Sequence, residues 1–195
     1  MNILGLKIIS HDTGAALMSE KGIVAIAEER LNRIKHSRGM FPEPAIDYCL
    51  KAMDVKPEEI DYITIDQVGN REVFRVEEIF RKWDKNNLFA KAKIVVVNHH
   101  DAHAAHAFFC SPFKEAAILI YDGSGEQITT HYGVNADETE TLYYGSDNNL
   151  FQLHKTSHAR YGKWFPYTWG IGKLYSLLSS GYVNFGKYCV SPSQR

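Results

Sequence analysis

The chain has 195 residues, 45% of them hydrophobic and 23% charged, with a formal net charge of -1. That length allows a domain with a real core, the composition is globular rather than disordered, and the near-zero charge gives no electrostatic basis for nucleic-acid binding. The longest apolar runs, KIVVV and AAILI, have strand length and fall far short of a membrane span, and MNILGL lacks the regions of a signal peptide, so a soluble cytoplasmic protein is expected.

Residues 2–9 (NILGLKII) read as a buried strand, and TGAALMS and GIVAIAEER as two more, separated by the turn-forming EKG. FPEPAIDYCLKAMDV follows as a helix, with prolines 42 and 44 near its start and Ile46, Leu50 and Met53 at helical spacing. IDYITID is a fourth strand. REVFRVEEIFRKW is an amphipathic helix with Val73, Val76, Ile79, Phe80 and Trp83 on one stripe. KIVVV is a fifth strand, the histidine-bearing segment 97–109 is helical in composition, and EAAILIYDG opens a second meander that continues through EQITTHYGV and ETLYYGS.

Cys49, Cys110 and Cys189 are widely spaced, odd in number and form no C-x-x-C pair, so they read as reduced thiols. The order of elements predicts an α/β fold: a ribonuclease H-like lobe of the actin, Hsp70 and hexokinase (ASKHA) superfamily, with a mixed five-stranded sheet flanked by helices, followed by the start of a second lobe. The first lobe is expected over residues 1–122 and the incomplete second over 123–180.

VNHHDAHAAHAFF carries four histidines in an otherwise apolar helix. Residues four apart share a helix face at about 5–6 Å between Cβ atoms, so His99 and His103 can reach one ion. His106 continues that stripe, and His100 points elsewhere. The helix follows a buried strand directly, which puts its start at the carboxyl edge of the sheet, where open α/β folds place ligands. Asp122, at the end of ILIYD, is the best local supplier of a third ligand. Gly123 and Gly125 would let the backbone approach an anion closely. Two imidazoles and a carboxylate suit iron, zinc, manganese or cobalt.

NHHDAHAAHAFF followed by SPFKEAAILIYDGSGE, the opening ILGLKIISHDTGAALM, the stretch IVAIAEERLNRIKHSRGMFP and the later GIGKLYSLLSS together resemble the N-terminal half of the NodU/CmcH/TobZ carbamoyltransferases. The resemblance covers residues 1 to about 180, and 181–195 form a divergent tail. It implies an O-carbamoyltransferase: a YrdC-like domain makes carbamoyl-adenylate from carbamoyl phosphate and ATP, and a TsaD-like domain with the superfamily fold passes the carbamoyl group to an acceptor hydroxyl. It further implies a divalent metal, iron or zinc, on His99, His103 and Asp122, with ATP as co-substrate.

In that arrangement His11, just after the first strand, is the candidate general base or carbonyl-orienting group, because imidazole titrates near neutrality. Asp12 either orients His11 or initiates the turn. The basic stretch RLNRIKHSR holds Lys35, the phosphate-binding candidate that the resemblance suggests. The remaining half of the TsaD-like domain and the YrdC-like domain are expected to be needed for activity, and a homodimer is compatible with the reading. Partners are then carbamoyl phosphate and a small-molecule acceptor, with no membrane and no nucleic acid. Two other readings share the fold: threonylcarbamoyl transfer to tRNA by a TsaD-like protein, against which the HH pair and DGxGE turn speak, and a non-catalytic remnant.

Overall fold

The computed structural model describes residues 1–68, 75–129, 135–159 and 170–172. Val73, residues 130–134, Trp164, Trp169, most of GIGKLYSLLSS, Cys189 and the tail lie outside the described residues. The chain divides into two compact units, one of Met1–Gln67 with Arg75–Val97 and a second that includes everything from Asn98 onward.

The first unit is built on a mixed five-stranded sheet in the order β3-β2-β1-β4-β5, with β1 at Ile3–Lys7, β2 at Gly14–Ser19, β3 at Gly22–Ala27, β4 at Tyr62–Gln67 and β5 at Lys93–Asn98. β1 runs antiparallel to β2 and parallel to β4. The register aligns apolar rows across the sheet: Leu17, Leu4 and Ile63 in one, Ala15, Leu6 and Ile65 in the next. All six are buried. In β1 these alternate with half-buried Ile3, Gly5 and Lys7, so that strand buries one face rather than both.

A short helix, α1 (Glu29–Asn32), replaces the end of the expected third strand. The reason is Glu28, 1% exposed, whose carboxylate accepts from the Ala45 N–H at 2.9 Å. Ala45 lies in the first turn of helix α2 (Glu43–Met53), where backbone N–H groups lack helical partners and a negative charge is favoured. α2 buries Ala45, Ile46, Cys49, Leu50 and Met53 and ends at Asp54 in the left-handed conformation. Helix α3 (Val76–Trp83) buries Val76 and Phe80, and the Trp83 ring stacks on Phe41 with centroids 4.4 Å apart. Cys49 is buried and Cys110 exposed, both as free thiols.

In the second unit, helix α4 (His99–Phe109) buries Ala104 and Phe108 against Ile118 and Tyr143. Ile118 belongs to β6 (Glu115–Tyr121) and Tyr143 to the long strand β8 (Asn135–Ser146). By these contacts α4 and β6 group with β8, although element order placed them in the first lobe.

The expected meander takes another form. β7 (Gln127–Thr129) does not pair with β6; both pair antiparallel with β8, while β9 (Asn149–Ala159) pairs along both stretches of it. β6 and β7 therefore follow one another along one edge of β8. Asp122 N–H donates to Thr139 O, Gly125 N–H to Glu138 O and Glu138 N–H to Glu126 O, so the pairing continues on either side of Gly123 and Ser124, which stand out as a bulge. Among the described residues no helix is long and apolar enough to cross a membrane.

Candidate functional site

Two groups of chemically competent side chains form, one in each unit. In the second unit, Asn98 starts α4: its Oδ1 accepts from the N–H groups of His100 (2.9 Å) and Asp101 (3.2 Å), an N-cap that satisfies otherwise orphaned donors. The same side chain donates through Nδ2 to Glu126 (2.8 Å) and to Glu138 (2.9 and 3.1 Å). Glu126 and Glu138 face each other where pairing resumes beyond the bulge. One asparagine thus ties the helix start to the strands that carry Asp122. Glu138 is fully buried, and its charge is met by Lys155 of β9.

That tie sets the position of His99, whose Nε2 lies 2.9 Å from Asp122 Oδ2 and 3.1 Å from His103 Nε2. One ligand atom from each of the three lies within 4.8 Å of the others. Ligands held at about 2.0–2.2 Å from one ion are themselves roughly 3–3.5 Å apart, so the donor set fits a single divalent cation. Burial alone would raise the Asp122 carboxyl, but the hydrogen bonds from His99 and the Gly123 N–H and the charge of the two imidazoles outweigh it and hold it at about 2. The acceptor is therefore ionised at neutral pH, as a metal ligand must be.

The other two histidines have separate fates. His100 is completely buried, with Nδ1 at 2.7 Å from Thr141 Oγ1, and burial lowers its pKa, which keeps it neutral. His106 is exposed. The glycines of DGSG also differ. A Cβ on Gly123 would meet nothing within 4 Å, whereas on Gly125 it would lie 2.7 Å from His100 Nε2 and 2.9 Å from Glu138 Oε2. Gly172, in the GIG of the later motif, approaches the Asp122 backbone so closely that a Cβ there would lie 2.6 Å from its carbonyl.

In the first unit, His11 Nδ1 lies 2.6 Å from Asp12 Oδ2, and His36 Nδ1 lies 2.7 Å from Asp12 Oδ1. Lys35 is exposed at the start of a one-turn 3-10 helix, Lys35–Ser37. Asp12, Glu29 and His36 form a second group whose ligand atoms lie within 4.8 Å of one another. His36 was missed from sequence because it sits inside a basic run and meets Asp12 only through folding. Asn98 carried a local signal, since asparagine directly before a helix is a capping residue.

A family model described as the carbamoyltransferase N-terminus matches residues 2–84 and 82–189, and the chain belongs to that family. It is 31% identical to the uncharacterized protein sll1178 of Synechocystis sp., over 96% of this chain and 33% of that protein. It is 34% identical to the nodulation protein NolNO of Sinorhizobium fredii, over 80% of this chain and 26% of that protein. The chain thus spans between a quarter and a third of the length of these relatives. Its structure is similar to YeaZ from Pseudomonas aeruginosa, with a TM-score of 0.52 at 14% identity, covering 80% of this chain and 66% of that one. At that identity the likeness is one of fold, and the fold is the actin-like ASKHA fold.

Proposed function

We propose that the chain is the N-terminal part of a cytoplasmic O-carbamoyltransferase, which passes a carbamoyl group from carbamoyl phosphate, by way of carbamoyl-adenylate, to a hydroxyl of a small-molecule acceptor. ATP is the co-substrate that supplies the adenylate. The observation that carries this reading is the convergence of His99, His103 and Asp122 in a chain of the carbamoyltransferase N-terminus family. These three residues would hold a divalent ion, iron or zinc. Such an ion supplies positive charge that orients phosphate and carbonyl oxygens and neutralises charge developing on them.

In the transfer step the acceptor oxygen bonds to the carbamoyl carbon, the bond from that carbon to the adenylate oxygen breaks, and AMP leaves with the electron pair. The hydroxyl proton passes to Nε2 of His11. Asp12, bonded to His11 Nδ1, orients the ring and stabilises the imidazolium that forms. Lys35 is a cation available to a phosphate group, whereas the Gly123 N–H already donates to Asp122 Oδ1 and the Gly125 N–H to Glu138 O, so these two glycines offer an anion no free backbone donor.

Metal analysis tests the reading. Purified protein should retain about one iron or zinc per chain, and His99→Ala should lose it. The full-length polypeptide should form AMP only when carbamoyl phosphate and ATP are both present. A chain that binds no metal in a His99-dependent way would instead support the non-catalytic reading.

A further inference from the structure

Asp12 is held more firmly than a half-exposed turn residue needs to be. Its side chain is 52% exposed, and that of its neighbour His11 is 50% exposed. An adjacent hydrogen-bonded pair so open to water is weakly held on its own, because solvent competes for both partners. The additional hold comes from residue 36. His36 Nδ1 meets Asp12 Oδ1 at 2.7 Å, and the Asp12 N–H donates to the His36 carbonyl at 2.7 Å. His36 is itself anchored: its side chain is only 20% exposed and its N–H donates to Glu29 Oε2 at 2.7 Å. Gly39 N–H reaches Ser10 O at 3.0 Å, closing the two loops on each other. Asp12 and His36 both adopt left-handed backbone, at φ 55° and 63°.

An ionised carboxylate only accepts hydrogen bonds, so each imidazole must carry its proton on the Nδ1 facing Asp12. In neutral His11 this leaves Nε2 as the basic nitrogen, and the choice of tautomer is set by the bond that Nδ1 makes. Asp12, Glu29 and His36 also resemble a set of metal ligands. However, both Asp12 oxygens are engaged by imidazoles and Glu29 Oε2 by a backbone N–H, so these groups are occupied with one another.

We propose that His36 is a positioning residue for His11: through the shared Asp12 carboxylate it fixes His11 as the Nδ1–H tautomer with Nε2 ready to accept a proton. The inference rests on the reading of His11 as the base in carbamoyl transfer. No proton leaves His36 in this arrangement; it donates one hydrogen bond throughout and holds the carboxylate in place.

Nitrogen-15 correlation spectra of the imidazoles, taken on the full chain at a pH where they are neutral, test it without any turnover. Wild-type His11 should show a single Nδ1–H tautomer. In His36→Ala that tautomer should give way to a mixture. In His36→Asn, whose amide N–H can stand where Nδ1–H stood, it should persist. In His36→Gln, which keeps polarity but projects its amide toward the Nε2 position, it should be lost, so the test survives if the alanine variant fails to fold. A His11 that keeps one tautomer in both His36→Ala and His36→Gln overturns the inference. In the full-length protein, the alanine and glutamine variants should lower kcat by about 10–100-fold with the acceptor KM unchanged, and asparagine should restore most of it. If the spectra behave as expected but wild-type protein transfers no carbamoyl group, the carbamoyl-transfer reading fails and the positioning of His11 stands.

Discussion

A carboxylate that accepts from two imidazoles is easier to keep charged than one in water. Burial draws the Asp12 carboxyl upward, but the hydrogen bonds from His36 and His11 and the positive charge of both rings outweigh it and leave its pKa below the ordinary 3.8. A folded-state pKa lowered in this way contributes stability that is fully present above 3.8 and is lost as pH falls through the folded value. Carbon-13 titration of the Asp12 carboxyl should therefore give a midpoint below 3.8, returning toward it in His36→Ala; a midpoint already at 3.8 in wild type would remove the basis for the double hydrogen bond. At this scale the sequence was partly legible. His99 and His103 could be paired from spacing alone, because a helix brings i and i+4 together. The Asp12–His36 contact could not, because it joins two loops 24 residues apart and depends on a backbone conformation with no sequence signature of its own.

At the scale of the element, the bulge between β6 and β7 determines where Asp122 projects. A methyl group on Gly125 would press on His100, which is completely buried, and on Glu138, which is fixed by Asn98 and Lys155. Neither neighbour has room to retreat. Gly125→Ala should cost about 1–3 kcal/mol of stability, the usual range for overpacking a close-packed site, and should displace the bulge. Gly123→Ala, with open space around it, should cost less than about 0.5 kcal/mol, like most unobstructed surface changes. Chemical denaturation of the two variants separates them, and equal costs would show that the bulge is not packed as described. DGSG was readable as a glycine turn, but composition could not show that its second glycine serves packing. Nor could it show that β6 and β7 share an edge of β8, because alternation marks strands without stating which ones pair.

For the whole molecule, the consequential fact is how the residues of the proposed site are divided. His99, His103 and Asp122, with the Asn98 and Glu138 network that orients them, all belong to the second unit, whereas His11, Asp12, Lys35 and His36 belong to the first. The order of strands and helices was enough to anticipate the superfamily fold. The division was not, because α4 carries on its apolar stripe no mark of which sheet it will cover. The division has a measurable consequence. Removing the orienting amide in Asn98→Ala deletes the α4 cap and leaves Glu126 and Glu138 without the donor they share; loss of such a supporting contact lowers metal affinity by about 10–100-fold. His11→Asn and Asp12→Asn replace residues of the first unit and remove none of the three ligands, so metal content in those variants should match wild type even where transfer is lost. Metal content measured across the three variants after identical dialysis decides the matter: loss in the His11 variant would mean that the ion depends on the first unit, and the ligand set assigned to the second would then be incomplete.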